Sequence, residues 1–104
     1  MNDLEDLRQA LRAFAEARHW RPYHTPKNLA MAMIVEAAEL VEHFQWLTPE
    51  ESQRLPPEKL NEVRDELADT LIYLVELADV LDINLLAAAR DKMAKNALKY
   101  PAPQ

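Results

Sequence analysis

Apolar positions recur at helical spacing along almost all of the 104-residue chain, with few interruptions. Between residues 3 and 18, Leu4, Leu7, Leu11, Phe14 and Ala15 form one stripe, which predicts an amphipathic, peripheral helix with Asn2 as its cap and Glu5 three residues on. Pro22 breaks the pattern, and Thr25-Pro26 restarts it, with Thr as N-cap and Pro at the first helical position. The second helix is expected to reach about Leu47. Its stretch 29–46, LAMAMIVEAAELVEHFQW, is apolar on nearly every side, which places it at the centre of a bundle or in a subunit interface. Thr48-Pro49-Glu50-Glu51 is a capping-box start within a connection over 48–58, and Pro56-Pro57 interrupts again. A third helix is expected from about Glu58 to Leu81. Asp82-Ile83-Asn84 is a tight turn, and Asn84 caps a fourth helix over 85–99 that packs through Leu85, Leu86, Ala89, Met93 and Leu98. Pro101 and Pro103 end all order, so 100–104 reads as a disordered tail. No stretch alternates as a strand does. The pattern predicts an all-α four-helix bundle, one domain over residues 1–104.

Composition narrows this picture by exclusion. There is no glycine, which removes the Gly-rich phosphate loop and the dinucleotide fingerprint, so any phosphate must be held by metal and side chains. The absence of cysteine excludes disulfides, a thiol nucleophile and thiolate zinc sites. The longest apolar run, Leu29–Val35, is far short of a membrane span, and the acidic start MNDLEDLRQ is unlike a signal peptide. A cytoplasmic protein without a membrane or nucleic-acid partner is expected, since a net charge of −6 repels nucleic acid. A domain this small has little core to spare, so self-association would help it.

Candidate chemistry lies where polar residues interrupt apolar faces. Glu36, Glu39 and His43 fall within about 60° of one another on the second helix. On the third, Glu62, Glu66, Asp69, Tyr73 and Glu76 share a face. Side-by-side packing would bring Glu36 and Glu39 opposite Glu66 and Asp69. Two carboxylates about 5 Å apart repel by roughly 3 kcal/mol at an effective dielectric of about 20, and four make six pairs. The sum rivals the whole stability of about 5–15 kcal/mol expected of a small domain. Such a site needs protons or a divalent cation, and an all-oxygen set suits Mg²⁺ or Mn²⁺.

Two further stretches carry open alternatives. RHWRPYH at 18–24 gathers His19, Trp20, Tyr23 and His24, either as aromatics that close the end of the bundle or as a rim on which a nucleobase stacks. The bundle-closing reading is favoured by composition. On the fourth helix, Arg90, Lys92, Lys95, Asn96 and Lys99 form either a solvated face that complements the helix dipole or a phosphate-binding row. Lys92, Asn96 and Lys99 share one face.

Glu36-Ala-Ala-Glu39, followed after 27 positions by Glu66-Leu-Ala-Asp69, resembles the paired ExxE…ExxD signature of the MazG-like all-α nucleotide pyrophosphohydrolases. Trp20, YHTPKNL at 23–29, EAAELVEHFQW at 36–46, DELADTLIYLV at 65–75 and KNALKYP at 95–101 are similar to the dCTP-pyrophosphatase branch. The paired signature alone is weak, whereas five segments in order are specific. The resemblance implies a homo-oligomer, dimer or tetramer, that uses Mg²⁺ to hydrolyse a nucleoside triphosphate to monophosphate and pyrophosphate. It implies Glu36, Glu39, Glu66 and Asp69 as metal ligands; in a mechanism built on that set, a carboxylate loosely bound to the metal is the expected general base, Glu39 ahead of Glu36 and Glu66. It further implies Trp20, His24, Trp46 and Tyr73 around base and sugar, and Lys92, Asn96, Lys99 and Tyr100 near the phosphates. Two positions depart from the pattern. Val35 stands where the broader family has a doubled acid, a loss the narrower branch shares. His19 stands where Asp precedes the Trp, which bears on substrate preference more than on activity.

Two competing readings are weaker. A di-iron carboxylate bundle needs Glu-x-x-His, and Leu40 stands three residues before His43. A non-catalytic helical interaction module would tolerate the four acids only if they were exposed.

Overall fold

The computed structural model describes residues 3–103, all of whose regular elements are helical. They are α1 (Leu4–Ala17), a 3₁₀ turn (Arg21–Tyr23), α2 (Pro26–Glu42), the short α3 (Pro49–Ser52), α4 (Pro57–Val80) and α5 (Leu85–Lys99). Local side-chain chemistry starts four of the helices. Thr25 accepts from the Asn28 amide at 3.2 Å, Asn84 from the Ala87 amide at 3.0 Å, and Thr48 and Glu51 complete a reciprocal capping box at 3.1 and 2.8 Å. The expected cap Asn2 lies outside the described residues. Asp3 caps α1 instead, accepting from the Asp6 amide at 2.9 Å.

α2 ends at Glu42, five residues before the expected Leu47. From there the chain tightens into three-residue bonds, His43 to Leu40, Phe44 to Val41 and Leu47 to Phe44. Apolar residues three apart fit both an α-helix and such turns, so the apolar pattern runs on through Phe44 and Leu47 after the helix has stopped. Trp46, in this stretch, is 87% exposed.

α1 and α4 both close without glycine. His19 (φ 57°) and Asp82 (φ 54°) take the left-handed position that glycine usually fills. Around them Trp20 donates to the Ala15 carbonyl and Ile83 to the Ala78 carbonyl, each at 2.9 Å, while His19 and Asp82 donate to Glu16 and Asp79. Short polar or imidazole side chains tolerate this conformation better than bulky or branched ones.

The main packing is α2 along α4, with α1 laid against α4. Ala15, Leu29, Val63, Val75 and Ala78 are the buried apolar residues among those described. Of the two settings expected for α2, bundle centre or subunit interface, the chain itself supplies the first for one face only, and Ile34 and Val41 on the other are 63% and 59% exposed. α5 departs further from the expected bundle. It buries no residue and packs substantially against none of the other long helices, leaving Leu86, Met93 and Leu98 on the surface. The Cα radius of gyration is 16.7 Å, against about 13 Å for a compact chain of this length. At the other end, Tyr100 closes α5 by donating to the Asn96 carbonyl at 2.7 Å, so irregular chain begins only at Pro101. No helix among the described residues is long and apolar enough to cross a membrane.

Candidate metal and nucleotide site

The packing of α2 on α4 sets Glu36 and Glu39 against Glu66. One carboxylate oxygen from each lies within 4.8 Å of the others, and all three residues are half-buried. Glu36 and Glu39 are one turn apart on the inner face of α2, and Glu66 meets them from the face of α4 that the spacing had marked. No Lys or Arg pairs with Glu36 or Glu39 among the described residues. Glu66 Oε2 is sealed from solvent and has no hydrogen-bond partner. A buried oxygen in that state costs about 1–3 kcal/mol, more when charged. Burial pushes the Glu36 carboxyl up, and Glu39, Asp69 and Glu66 add to the effect, bringing it to about 7.

Asp69 stands one turn beyond Glu66, more exposed and outside the group of three, although its charge still acts on Glu36. His43, at the end of α2, closes one flank. Its Nε2 is 3.8 Å from Glu66 Oε1, and its Nδ1 is 3.3 Å from Lys59 Nζ and 3.7 Å from Glu62 Oε2. Lys59 was not foreseen as part of this site, because its relation to the cluster runs through a histidine 16 residues away.

Beyond Asp69 the same face of α4 continues to Tyr73 and Glu76. Burial pushes the Tyr73 hydroxyl up, and the charges of Glu36, Glu76 and Asp69 add to it, which places Tyr73 between the acidic cluster and the next carboxylate. Glu76 Oε2 lies 3.0 Å from His24 Nδ1, and both side chains are mostly buried. Trp20 is stacked edge-on against Phe14 with ring centres 5.6 Å apart, and sits 6.4 Å from the His24 ring. Trp20 is 46% exposed. The aromatic segment thus joins the end of the bundle through one edge of Trp20 and leaves the other open, while Tyr23 points outward.

One turn further, Asp79 is enclosed by three guanidinium groups. Arg8 Nη1 is 2.9 Å and Arg12 Nη2 2.5 Å from its Oδ1, and Arg21 Nη1 is 3.6 Å from its Oδ2. Burial pushes the Asp79 carboxyl up, but hydrogen bonds from Arg12 and Arg8 outweigh it and hold the group below its ordinary value. Nothing in the spacing of residues 8, 12, 21 and 79 signals this cluster, whose members are drawn from three elements.

The remaining expected substrate residues are not brought to the cluster within one chain. Trp46, Lys92, Asn96, Lys99 and Tyr100 are all exposed, and Lys99 Nζ lies 5.3 Å above the ring of Tyr100.

The model of the MazG-like family matches residues 31–104. The chain is 42% identical over 101 residues to dCTP pyrophosphatase 1 of Homo sapiens and 41% identical over 100 residues to that of Mus musculus. These matches cover 95% and 94% of the chain, which spans 59% of the length of each relative. A crystal structure of a pyrophosphatase from Archaeoglobus fulgidus superposes with a TM-score of 0.89 at 46% identity, covering 94% of this chain and 92% of that one. A helical chain whose second and fourth helices bring three carboxylates together without a Lys or Arg among them, and whose sequence and backbone both match in this way, belongs to the MazG-like family.

Proposed function

We propose that this protein hydrolyses a nucleoside triphosphate between its α- and β-phosphates, releasing nucleoside monophosphate and pyrophosphate, with dCTP or a modified dCTP preferred. The observation that carries the reading is the set Glu36, Glu39 and Glu66, gathered within 4.8 Å without a pairing Lys or Arg among the described residues and with Glu66 Oε2 lacking any partner. An all-oxygen donor set with one oxygen unsatisfied fits a hard divalent cation such as Mg²⁺, or Mn²⁺, with Asp69 available at the edge. When bound, that ion supplies Lewis acidity and positive charge for the triphosphate. Glu39 takes the proton of the attacking water; the water oxygen joins the α-phosphorus, and the bond to the bridging oxygen breaks. Tyr73 and His24 extend the site along α4 towards the base, with Trp20 as a stacking surface. The names of the two mammalian relatives support the choice of nucleotide.

We further propose that the working form is a homo-oligomer, dimer or tetramer. The chain exposes 8316 Å², against roughly 6,000 Å² for a folded monomer of its mass. The excess of about 2,300 Å² matches one partner's share of an obligate interface. The outer face of α2 and the face of α5 bearing Leu86 and Met93 are the surfaces such an assembly would cover. Lys92, Asn96 and Lys99 would then reach phosphates in a site completed between copies.

The test is incubation with Mg²⁺ and each deoxynucleoside or ribonucleoside triphosphate, with products resolved by chromatography. Monophosphate with pyrophosphate, fastest from dCTP, is the expected result. Release of inorganic phosphate or absence of cleavage would overturn the reaction; faster cleavage of another nucleotide would overturn only the substrate.

A further inference from the structure

Glu76 is a mostly buried carboxylate outside the acidic cluster, and the reaction just described gives it no task. It sits seven residues beyond Asp69, about 10 Å along the helix axis and on the same face, a separation close to the length of one nucleoside. Its partner is His24 Nδ1 at 3.0 Å. The groups facing it are His24 and Arg21, with Asp79 one turn further along α4. The other ring nitrogen of His24, Nε2, has no partner among the described residues, and it is not among the side-chain polar atoms that are both sealed from solvent and unpartnered, of which Glu66 Oε2 is the sole example there. A neutral imidazole has one N–H and one acceptor nitrogen, and a carboxylate beside Nδ1 favours the proton there. The accessible nitrogen then accepts. Trp20 beside it offers a flat face, so the segment presents a stacking surface and a single hydrogen-bond acceptor together.

We infer that Glu76 is a positioning residue that holds His24 protonated on Nδ1, so that Nε2 accepts a hydrogen bond from the exocyclic amino group of a nucleobase and selects cytosine over uracil. The inference rests on residues 20–24 being the base end of the nucleotide site. An acceptor facing the carbonyl of uracil leaves two acceptors opposed, and a mismatch worth one hydrogen bond corresponds to about a tenfold preference.

The experiment has two readouts on the wild type, Glu76→Leu and Glu76→Gln. Nitrogen-15 NMR of the His24 ring is recorded without substrate at about pH 8, above the ordinary histidine value. kcat and KM are measured for dCTP and dUTP with Mg²⁺. The wild type is expected to show the proton on Nδ1 and a preference for dCTP. In Glu76→Leu the Nδ1 form is no longer dominant, and the dCTP over dUTP ratio of kcat/KM falls about tenfold, chiefly through KM for dCTP. Glu76→Gln, whose amide oxygen still accepts from Nδ1, retains both properties. A general loss of structure would instead lower kcat for both nucleotides alike. A wild-type His24 protonated on Nε2, or an unchanged nucleotide ratio in Glu76→Leu, overturns the inference. If the wild type cleaves neither nucleotide, the reading of the pocket fails and base selection with it, while the NMR spectrum still decides the tautomer.

Discussion

The two halves of α4 carry the same kind of residue in opposite electrostatic settings. Near its middle, Glu66 faces Glu36 and Glu39, and its Oε2 has no partner. Thirteen residues on, Asp79 is deeper, yet three arginines surround it. Burial raises the energy of both charges. At Asp79 the guanidinium groups more than offset that cost, and the carboxyl titrates below its ordinary value; at Glu36 more acids add to it, and the value climbs to about 7. Depth therefore does not decide whether an acid is neutralised. What decides it is whether the chain supplies the opposite charge.

The comparison breaks first at the cluster. Glu39→Gln or Glu66→Gln is expected to lower kcat by at least about a hundredfold, because each removes a proposed metal ligand or proton acceptor. The metal-free variants should melt no lower than the wild type, since repulsion has been removed. Activity close to that of the wild type, with unchanged metal dependence, would place the chemistry elsewhere.

Acidity provides the next test. Glu36 has a raised value in the folded state, so the fold binds that proton more tightly than the unfolded chain does. In metal-free protein the contribution of Glu36 should be fully present below about 4.5, be lost as the pH climbs to about 7, and be absent above. Saturating Mg²⁺ should abolish that decline and raise the melting temperature at neutral pH. Melting curves across pH with and without the ion check this.

Asp79 should behave in the reverse sense. Its lowered value means that its stabilisation is present above the unfolded value of 3.8 and disappears as acid carries the pH through the folded one. Asp79→Asn is expected to cost about 2 kcal/mol at neutral pH, less than the roughly 3–5 kcal/mol of breaking a fully buried pair, because its arginines reach solvent. Urea denaturation measures it.

The smallest effect belongs to the third acid of this region. Glu5 pairs with Arg8 and is held down to about 2 by that hydrogen bond, but it stands in solvent. Glu5→Gln should leave the melting temperature unchanged, because exposed pairs contribute little. A loss as large as that of Asp79→Asn would mean that the paired half of α4 is one network including Glu5.

Legibility in the sequence followed the range of each interaction. Thr25, Thr48 and Asn84 were readable as caps because a capping side chain acts on an amide three residues away. Glu36, Glu39 and Glu66 were readable because charge on an apolar face violates the pattern. The end of α2 was not, since Phe44 and Leu47 keep the same spacing in tighter turns. Nor was the placement of α5, because an apolar stripe shows that something covers it but not which chain supplies the cover. His19 and Asp82 in left-handed caps, and the joining of His24 to Glu76, depend on backbone shape and on partners distant along the chain, which neither spacing nor composition encodes.

The Asp79 clip also sets an order of assembly. Its bonds to Arg8 and Arg12 span 71 and 67 residues, so closing them requires almost the entire chain to be in place. α2 and α4 meet across a much shorter loop, and the entropy of closure favours that pairing as the earlier event. α1 is then the last helix to dock, and the first to leave when acid neutralises its anchor. Because the turn holding Trp20 and His24 follows directly from α1, an early step of acid unfolding would release that turn, the proposed base end, while Glu36, Glu39 and Glu66 remained assembled.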